Sequence, residues 1–357
     1  MRVTGGQVFC GGAFVEAAVE IADGRIAALA PSQAASAAEG DIDATGEALR
    51  AIARHEASRG VTAICPATMT YPEELLTSVA RTAAAFEPAA DEAALVGINM
   101  EGPFISPDKI GAQNPAYVQR ADAAMLRRIQ KEAGGLVKLV DIAPEEPGAL
   151  EFTAEVADEV RVSLAHTCTD YDTARAAFER GARHMTHLYN AMPGLHHRKP
   201  GPIAAAWEAP EATVELICDG VHVHPAMARL TFALFGAERI CLISDSMRAC
   251  GLEDGTYDLG GQDVTVRCNV ATLADGTIAG SVTDLAACVK VAVRQMGVPL
   301  EDAVLAATLT PARAIGIDDE RGSLEAGKIA DVVVLDEELD VKHVIVRGRL
   351  LQGGSAR

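Results

Sequence analysis

Basic side chains are scarce in this 357-residue chain: 31 lysines and arginines stand against 50 aspartates and glutamates, a formal net charge of -19 at pH 7. A surface of that sign repels polyanions, so neither nucleic acid nor an anionic membrane surface is expected as a partner. No apolar run is long enough to span a bilayer. The opening MRVTGGQVFC has one early arginine but neither a sustained apolar stretch nor a small-residue cleavage pattern; no secretory leader is expected, and the chain reads as cytoplasmic. Disulfide patterning is missing as well. The eight cysteines, at 10, 65, 168, 218, 241, 250, 268 and 288, never form a CxxC pair, and several lie in apolar runs such as TAICPAT and ELICDG, so reduced, mostly buried thiols are expected. An anionic small substrate would need a local basic patch, and HHRKPG at 196–201 is one of the few stretches that offers one.

What is present is an ordinary globular composition, 49% hydrophobic and 23% charged, in a length that suits one large domain with a small companion. The middle of the chain alternates short apolar runs with helical patterns, the signature of a parallel sheet built from β-α units. Seven runs stand out: 61–68, 95–102, 137–145, 160–167, 184–188, 213–220 and 239–246. Almost all finish on a polar or ionisable residue, namely Glu101, Glu145, His166, His187, Asp219 and Asp245. Chemistry at the carboxyl ends of successive parallel strands is the arrangement of a (β/α)8 barrel, which predicts a TIM-like catalytic barrel over 41–315.

Such a barrel needs an eighth strand, and none is evident. Residues 7–30 alternate and turn on Asp23–Gly24, which reads as antiparallel strands of a small β-sandwich whose N-terminal part spans 1–40. The loop-like PSQAASAAEG, Ala-rich at 34–38, then runs directly into the helical DIDATGEALRAIARHEASRG, with Thr45 as its expected cap. A missing barrel strand exposes two edges, so a segment left out of the sequence is the favoured explanation. Residues 316–357 return to short strands and are expected to complete the sandwich from the other chain end.

Glu101, His166 and His187 at three strand ends form an oxygen and nitrogen set suited to one divalent cation with positions left for water. Each alone also fits a structural hydrogen-bonding role. Because side chains alternate along a strand, His184 and His187 point to opposite faces, and His187 is the expected ligand, with His184 packed or at the surface. His222 and His224 form an H-x-H pair that could itself hold metal. Asp245 in LISDS is a loop acceptor or a general base beside a metal-bound water. Arg198 with Lys199 is a solvated pair or a phosphate clamp. His55 and His343 read as surface residues.

Taken together, MEGPFIS, LAHT, THLYNAMPG, HRKPG, CDGVHVHP, LISDSM, GTIAGS and SLEAGKIADVVVLD resemble the N-acetylglucosamine-6-phosphate deacetylases of the amidohydrolase superfamily, in order and over nearly the whole chain. The resemblance implies a metal-dependent barrel with a small β-sandwich, usually a homodimer, that removes acetate from N-acetylglucosamine 6-phosphate and leaves glucosamine 6-phosphate. It implies Glu101, His166 and His187 as metal ligands and Asp245 as the acid/base that takes a proton from water and returns it to the leaving amine. His222 is implied as the residue that contacts substrate and polarises the amide carbonyl. Asn190 and Ala191 are implied as sugar-phosphate contacts, and Arg198 as the phosphate clamp. Ala112 and Gln113 sit where the family has a substrate-contacting loop, often with histidine at the second position. The expected cofactor is one divalent ion, zinc first, with iron and cobalt also suited to these ligands; a second ion would need ligands from the missing strand. The rival readings are a catalytically impaired sugar-phosphate binder and an amidohydrolase acting on another cyclic amide or amino sugar.

Overall fold

The computed structural model describes residues 1–30, 37–38 and 46–351. The expected cap Thr45, and the stretch PSQAASAAEG apart from residues 37–38, lie outside the described residues. The chain opens as an antiparallel sheet of β1 (Arg2–Cys10), β2 (Ala13–Ala22) and β3 (Arg25–Ala30). Asp23 and Gly24 close the β2–β3 hairpin with φ of 51° and 73°, the paired positive dihedrals that a two-residue hairpin turn needs.

Parallel strands follow: β4 (Ala37–Ala38), β5 (Ala63–Ile64), β6 (Ala94–Leu95), β7 (Ile98–Phe104), β8 (Val137–Ile142), β9 (Arg161–Leu164), β10 (His184–Met185), β11 (Thr213–Ile217) and β12 (Ile240–Ile243). They pair as β4-β5-β6 and as β7-β8-β9-β10-β11-β12, every pair parallel. A further bridge between Ala67 and Asn99 ties the chain beyond β5 to β7. All seven runs expected as strands contribute here. The expectation that no strand precedes the first helix is corrected: Ala37–Ala38 pairs in parallel with Ala63–Ile64. Two alanines in an Ala- and Ser-rich stretch carry neither β-branching nor alternation, so the strand left no signal.

Helices fill the connections because their apolar residues recur on one face. Ala123–Glu132, for example, buries Ala123, Met125, Leu126 and Ile129, and the Asp122 carboxylate caps it by accepting from Ala124 N and Met125 N. Such a cap stabilises by about 1 kcal/mol. Strands covered in this way become apolar throughout, as in β12, where all four residues are buried.

After β12 comes an antiparallel sheet that the strand count did not anticipate: β13 (Gly255–Leu259), β14 (Gln262–Arg267) and β15 (Val270–Thr272). Its apolar cluster joins Leu259, Val264, Val266 and Ala271 to Met69 and Met247, which follow β5 and β12. The C-terminal strands β16 (Val332–Leu335), β17 (Val341–Val346) and β18 (Arg349–Leu350) form another antiparallel sheet. Val19, Ile21 and Ile26 from one chain end share a buried cluster with Leu324, Ala330, Val332 and Ile345 from the other. Ile26 N donates to Lys328 O at 3.0 Å and Ala330 N to Gly24 O at 3.0 Å, so the two ends meet as their alternating patterns suggested.

All eight cysteines are reduced; Cys65, Cys218, Cys241 and Cys288 are buried, while Cys168 and Cys268 are exposed. His343 is exposed as expected, but His55 is half-buried with a fully enclosed Nε2, a departure from the surface reading. Its ring lies where a Cβ on Gly251 would stand only 2.8 Å away. Among the described residues, no helix is long and apolar enough to cross a membrane.

Candidate active site

Glu101 does not end its strand. β7 continues through Gly102–Pro103 to Phe104, and its register with β8 slips between Met100 and Phe104, so Glu101 sits in a bulge. A bulge re-aims a side chain without ending the pairing. Gly102 makes it possible: its φ is +90°, and a Cβ there would lie 2.2 Å from Thr70 Oγ1. His166 and His187 follow β9 and β10 with φ of 42° and 33°, and Asp245 follows β12 with φ of 48°. Left-handed backbone at a non-glycine residue costs about 1–3 kcal/mol, and its recurrence at three strand mouths marks positions set by function rather than by local preference.

These bends bring the three expected ligands together. His166 Nε2 lies 3.0 Å from Glu101 Oε1, His187 Nε2 lies 3.7 Å from the same oxygen, and the two Nε2 atoms are 3.1 Å apart. All three residues are buried, and their ligand atoms lie within 4.8 Å of one another. The donor chemistry fits a cation. His166 Nδ1 contacts the Lys109 carbonyl at 2.9 Å; a carbonyl can only accept, so Nδ1 carries the proton and Nε2 can present its lone pair. Two imidazole nitrogens and a carboxylate oxygen facing one another repel if all present lone pairs, so a hydrogen or a cation must lie among them. Without metal, a proton takes that part. Burial pushes the His187 imidazole down, but Glu101 outweighs it and carries His187 up to about 10. In return, the two histidines overcome burial and hold Glu101 far below the ordinary carboxylate range.

A second layer of buried groups supports this one. Glu215, inside β11, accepts from the His187 backbone N–H at 3.1 Å and contacts His184 Nε2 at 3.0 Å. His184 is therefore packed in the interior, as side-chain alternation required. Sequence reasoning missed Glu215; its signal was a lone carboxylate within the apolar TVELI. Below lies Asp141, which accepts from Thr186 Oγ1 at 2.9 Å and is raised well above its usual range by burial and by the charges of Glu101 and Glu215.

The ligand triad opens into a cavity of about 490 Å³, within the range of small-molecule sites. Asp245 and His222 both line it. Burial and the Glu101 charge raise the Asp245 carboxyl to about 7. His222 is aimed by Asp219, whose Oδ2 lies 2.7 Å from Nδ1 and whose Oδ1 accepts from the Val221 and His222 backbone N–H groups at 2.9 Å each. Burial pushes the Asp219 carboxyl up, but the His222 ring and these N–H groups outweigh it and hold it low. The contact leaves His222 Nε2 as the nitrogen that can meet a ligand. Asp219 was visible only as a strand-end carboxylate. His224 does not join its neighbour: it is exposed and caps the next helix by accepting from Ala226 N.

Ala112, Gln113, Asn190 and Ala191 also line the cavity. Asn190 Nδ2 is held by the carbonyls of His187 and Leu188, both at 3.2 Å. The Gln113 amide is buried against Glu101 and the Thr70 backbone. Arg198 is the clear exception. It lies on an exposed turn outside the cavity wall, and the lysine or arginine that lines the wall is Lys109.

Comparison with known proteins establishes the family. A curated N-acetylglucosamine-6-phosphate deacetylase of Bacillus subtilis is 38% identical over 314 residues, covering 87% of this chain and 79% of the relative. A curated N-acetylgalactosamine-6-phosphate deacetylase of Escherichia coli O157:H7 is 37% identical, covering 87% and 82%. The solved structure of a Mycobacterium smegmatis N-acetyl-D-glucosamine-6-phosphate deacetylase variant, in complex with N-acetyl-D-glucosamine-6-phosphate, superposes with a TM-score of 0.92 at 33% identity and covers 98% of both chains. The model of the amidohydrolase family matches residues 41–351, which include every strand-mouth residue described above, and the chain belongs to that family.

Proposed function

We propose that this chain is a metal-dependent deacetylase that hydrolyses N-acetylglucosamine 6-phosphate to glucosamine 6-phosphate and acetate, in amino-sugar catabolism. The observation that carries the reading is the convergence of Glu101, His166 and His187 with Asp245 and His222 on one cavity. Relatives named for the same amide hydrolysis on two sugar phosphates support it. We further read the parallel strands, β4 at Ala37–Ala38 included, as a closed (β/α)8 barrel whose helical part runs to residue 315, with residues 1–30 and 316–351 forming the small sandwich. The protein is read as a cytoplasmic homodimer; exposed Leu195, Trp207, Val221 and Leu230, all within residues 195–230, suit a subunit contact.

Glu101, His166 and His187 would hold one divalent ion, zinc by preference for this ligand set. When bound, such an ion lowers the pKa of water and polarises a carbonyl oxygen. Asp245 accepts the proton of the attacking water as the new C–O bond forms. His222, when its ring carries both protons, donates from Nε2 to the developing oxyanion. Asp245 then returns the proton to nitrogen as the C–N bond breaks, so the amine leaves neutral. Asn190, Ala191 and Ala112 position the sugar, and Lys109 is the cation at hand for its phosphate; Arg198 would serve only if its exposed turn met the ligand.

The test is acetate release from N-acetylglucosamine 6-phosphate by the parent chain and by Asp245→Asn. The parent is expected to turn over, and the variant to lose about 100-fold or more while keeping its metal. A metal-replete parent that binds the sugar phosphate without releasing acetate would instead be the impaired binder.

A further inference from the structure

Gln113 lines the cavity, yet both ends of its side-chain amide are engaged by the protein itself. Thr70 N donates to Gln113 Oε1 at 2.7 Å, and Gln113 Nε2 donates to Glu101 Oε1 at 2.7 Å. The direction of the amide follows from chemistry. A backbone N–H can only donate, so the amide oxygen must face Thr70, and the NH2 group is left facing the carboxylate. Both contacts are buried.

We infer that Gln113 is a positioning residue for the metal ligand Glu101 rather than a substrate contact. The inference rests on the proposed metal site. Glu101 stands in a bulge, where the regular ladder does not fix its direction. Gln113 supplies that direction and anchors it to the backbone that follows β5. The same loop orients a second ligand: the Lys109 carbonyl accepts from His166 Nδ1 at 2.9 Å, and a Cβ on Gly111 would stand 3.1 Å from His166 Cε1. The loop is itself held from the inserted sheet, where Gln262 Nε2 donates to Ala112 O at 2.5 Å. Segment 109–113 therefore grips two of the three ligands from outside the ion while its other residues face the cavity. Loss of such an outer hydrogen bond to a ligand typically lowers metal affinity about 10- to 100-fold.

The test measures Zn²⁺ affinity by chelator competition without substrate, and then KM for N-acetylglucosamine 6-phosphate at saturating Zn²⁺. Gln113→Met keeps the side-chain length and removes the amide. It is expected to weaken Zn²⁺ binding about 10- to 100-fold, with KM at saturating metal unchanged. Gln113→His, which keeps an N–H donor, is expected to recover most of that affinity. An unchanged Zn²⁺ affinity in Gln113→Met overturns the inference, and a raised KM beside it restores the substrate-contact reading. Where the thermal melt shows that Gln113→Met has not folded, Gln113→Leu, which also lacks a donor and excludes water, takes its place with the same expected loss and the same overturning result. A parent that binds Zn²⁺ but releases no acetate removes the deacetylase reading and leaves this inference standing; a parent that binds no cation removes both.

Discussion

His166 and His187 hold their Nε2 atoms 3.1 Å apart across from Glu101, a separation bridged by a hydrogen on one ring or by a cation that both rings face. In the metal-free protein that hydrogen is the proton on His187, raised to about 10. A metal must displace it, so binding releases a proton and tightens as pH rises. Between pH 7.5 and 8.5, apparent Zn²⁺ affinity should increase by about tenfold. Chelator competition at the two values checks this; a flat affinity would mean that His187 is already neutral without metal.

Asp219 acts through His222. Changing Asp219→Asn keeps an oxygen for the Val221 and His222 backbone N–H groups but removes the carboxylate from Nδ1. The ring then loses the partner that aims Nε2, and kcat should fall on the order of 100-fold. Metal content should not change, because Asp219 touches none of the three ligands. Steady-state kinetics with metal analysis of the same sample separates the two effects.

Glu56 lies outside the site and reports on stability. It is buried on the first helix, with Oε2 unpartnered, and burial followed by the Asp284 charge raises it to about 8. A carboxyl raised in the folded state binds more protons there than in the unfolded chain, so stability falls as pH climbs from about 4.5 through 8. Glu56→Gln removes that dependence. The variant should melt above the parent at pH 9 and should not at pH 5. Equal melting temperatures at pH 9 would show that Glu56 ionises there at no cost.

Much of this arrangement was legible in the sequence because parallel strands carry continuous apolar runs, and an ionisable residue at the end of one is conspicuous. His166, His187 and Asp245 were visible in that way. Glu101 was found for a partly mistaken reason: it reads as a strand end, whereas β7 passes on through Gly102–Pro103 and Glu101 sits in a bulge. Pairing partners decide that outcome, and a single strand does not contain them. Ala37–Ala38 was missed because its strand character comes entirely from pairing with Ala63–Ile64. The groups that hold the ligands, Glu215 and Gln113, were unreadable as such, since a hydrogen bond between residues far apart in sequence leaves no local pattern. Arg198, the residue to which the local basic patch pointed, stands on an exposed turn and is not among the residues that line the cavity of a single chain.

The most direct measurement strips the protein of metal and follows acetate release from N-acetylglucosamine 6-phosphate as Zn²⁺ is returned, beside the ion bound per chain. Activity that is absent at first and rises in step with binding to one ion per chain, with His187→Asn failing to recover at the same Zn²⁺ concentration, is the predicted result. Full acetate release from stripped protein, or from His187→Asn carrying no ion, would contradict the account.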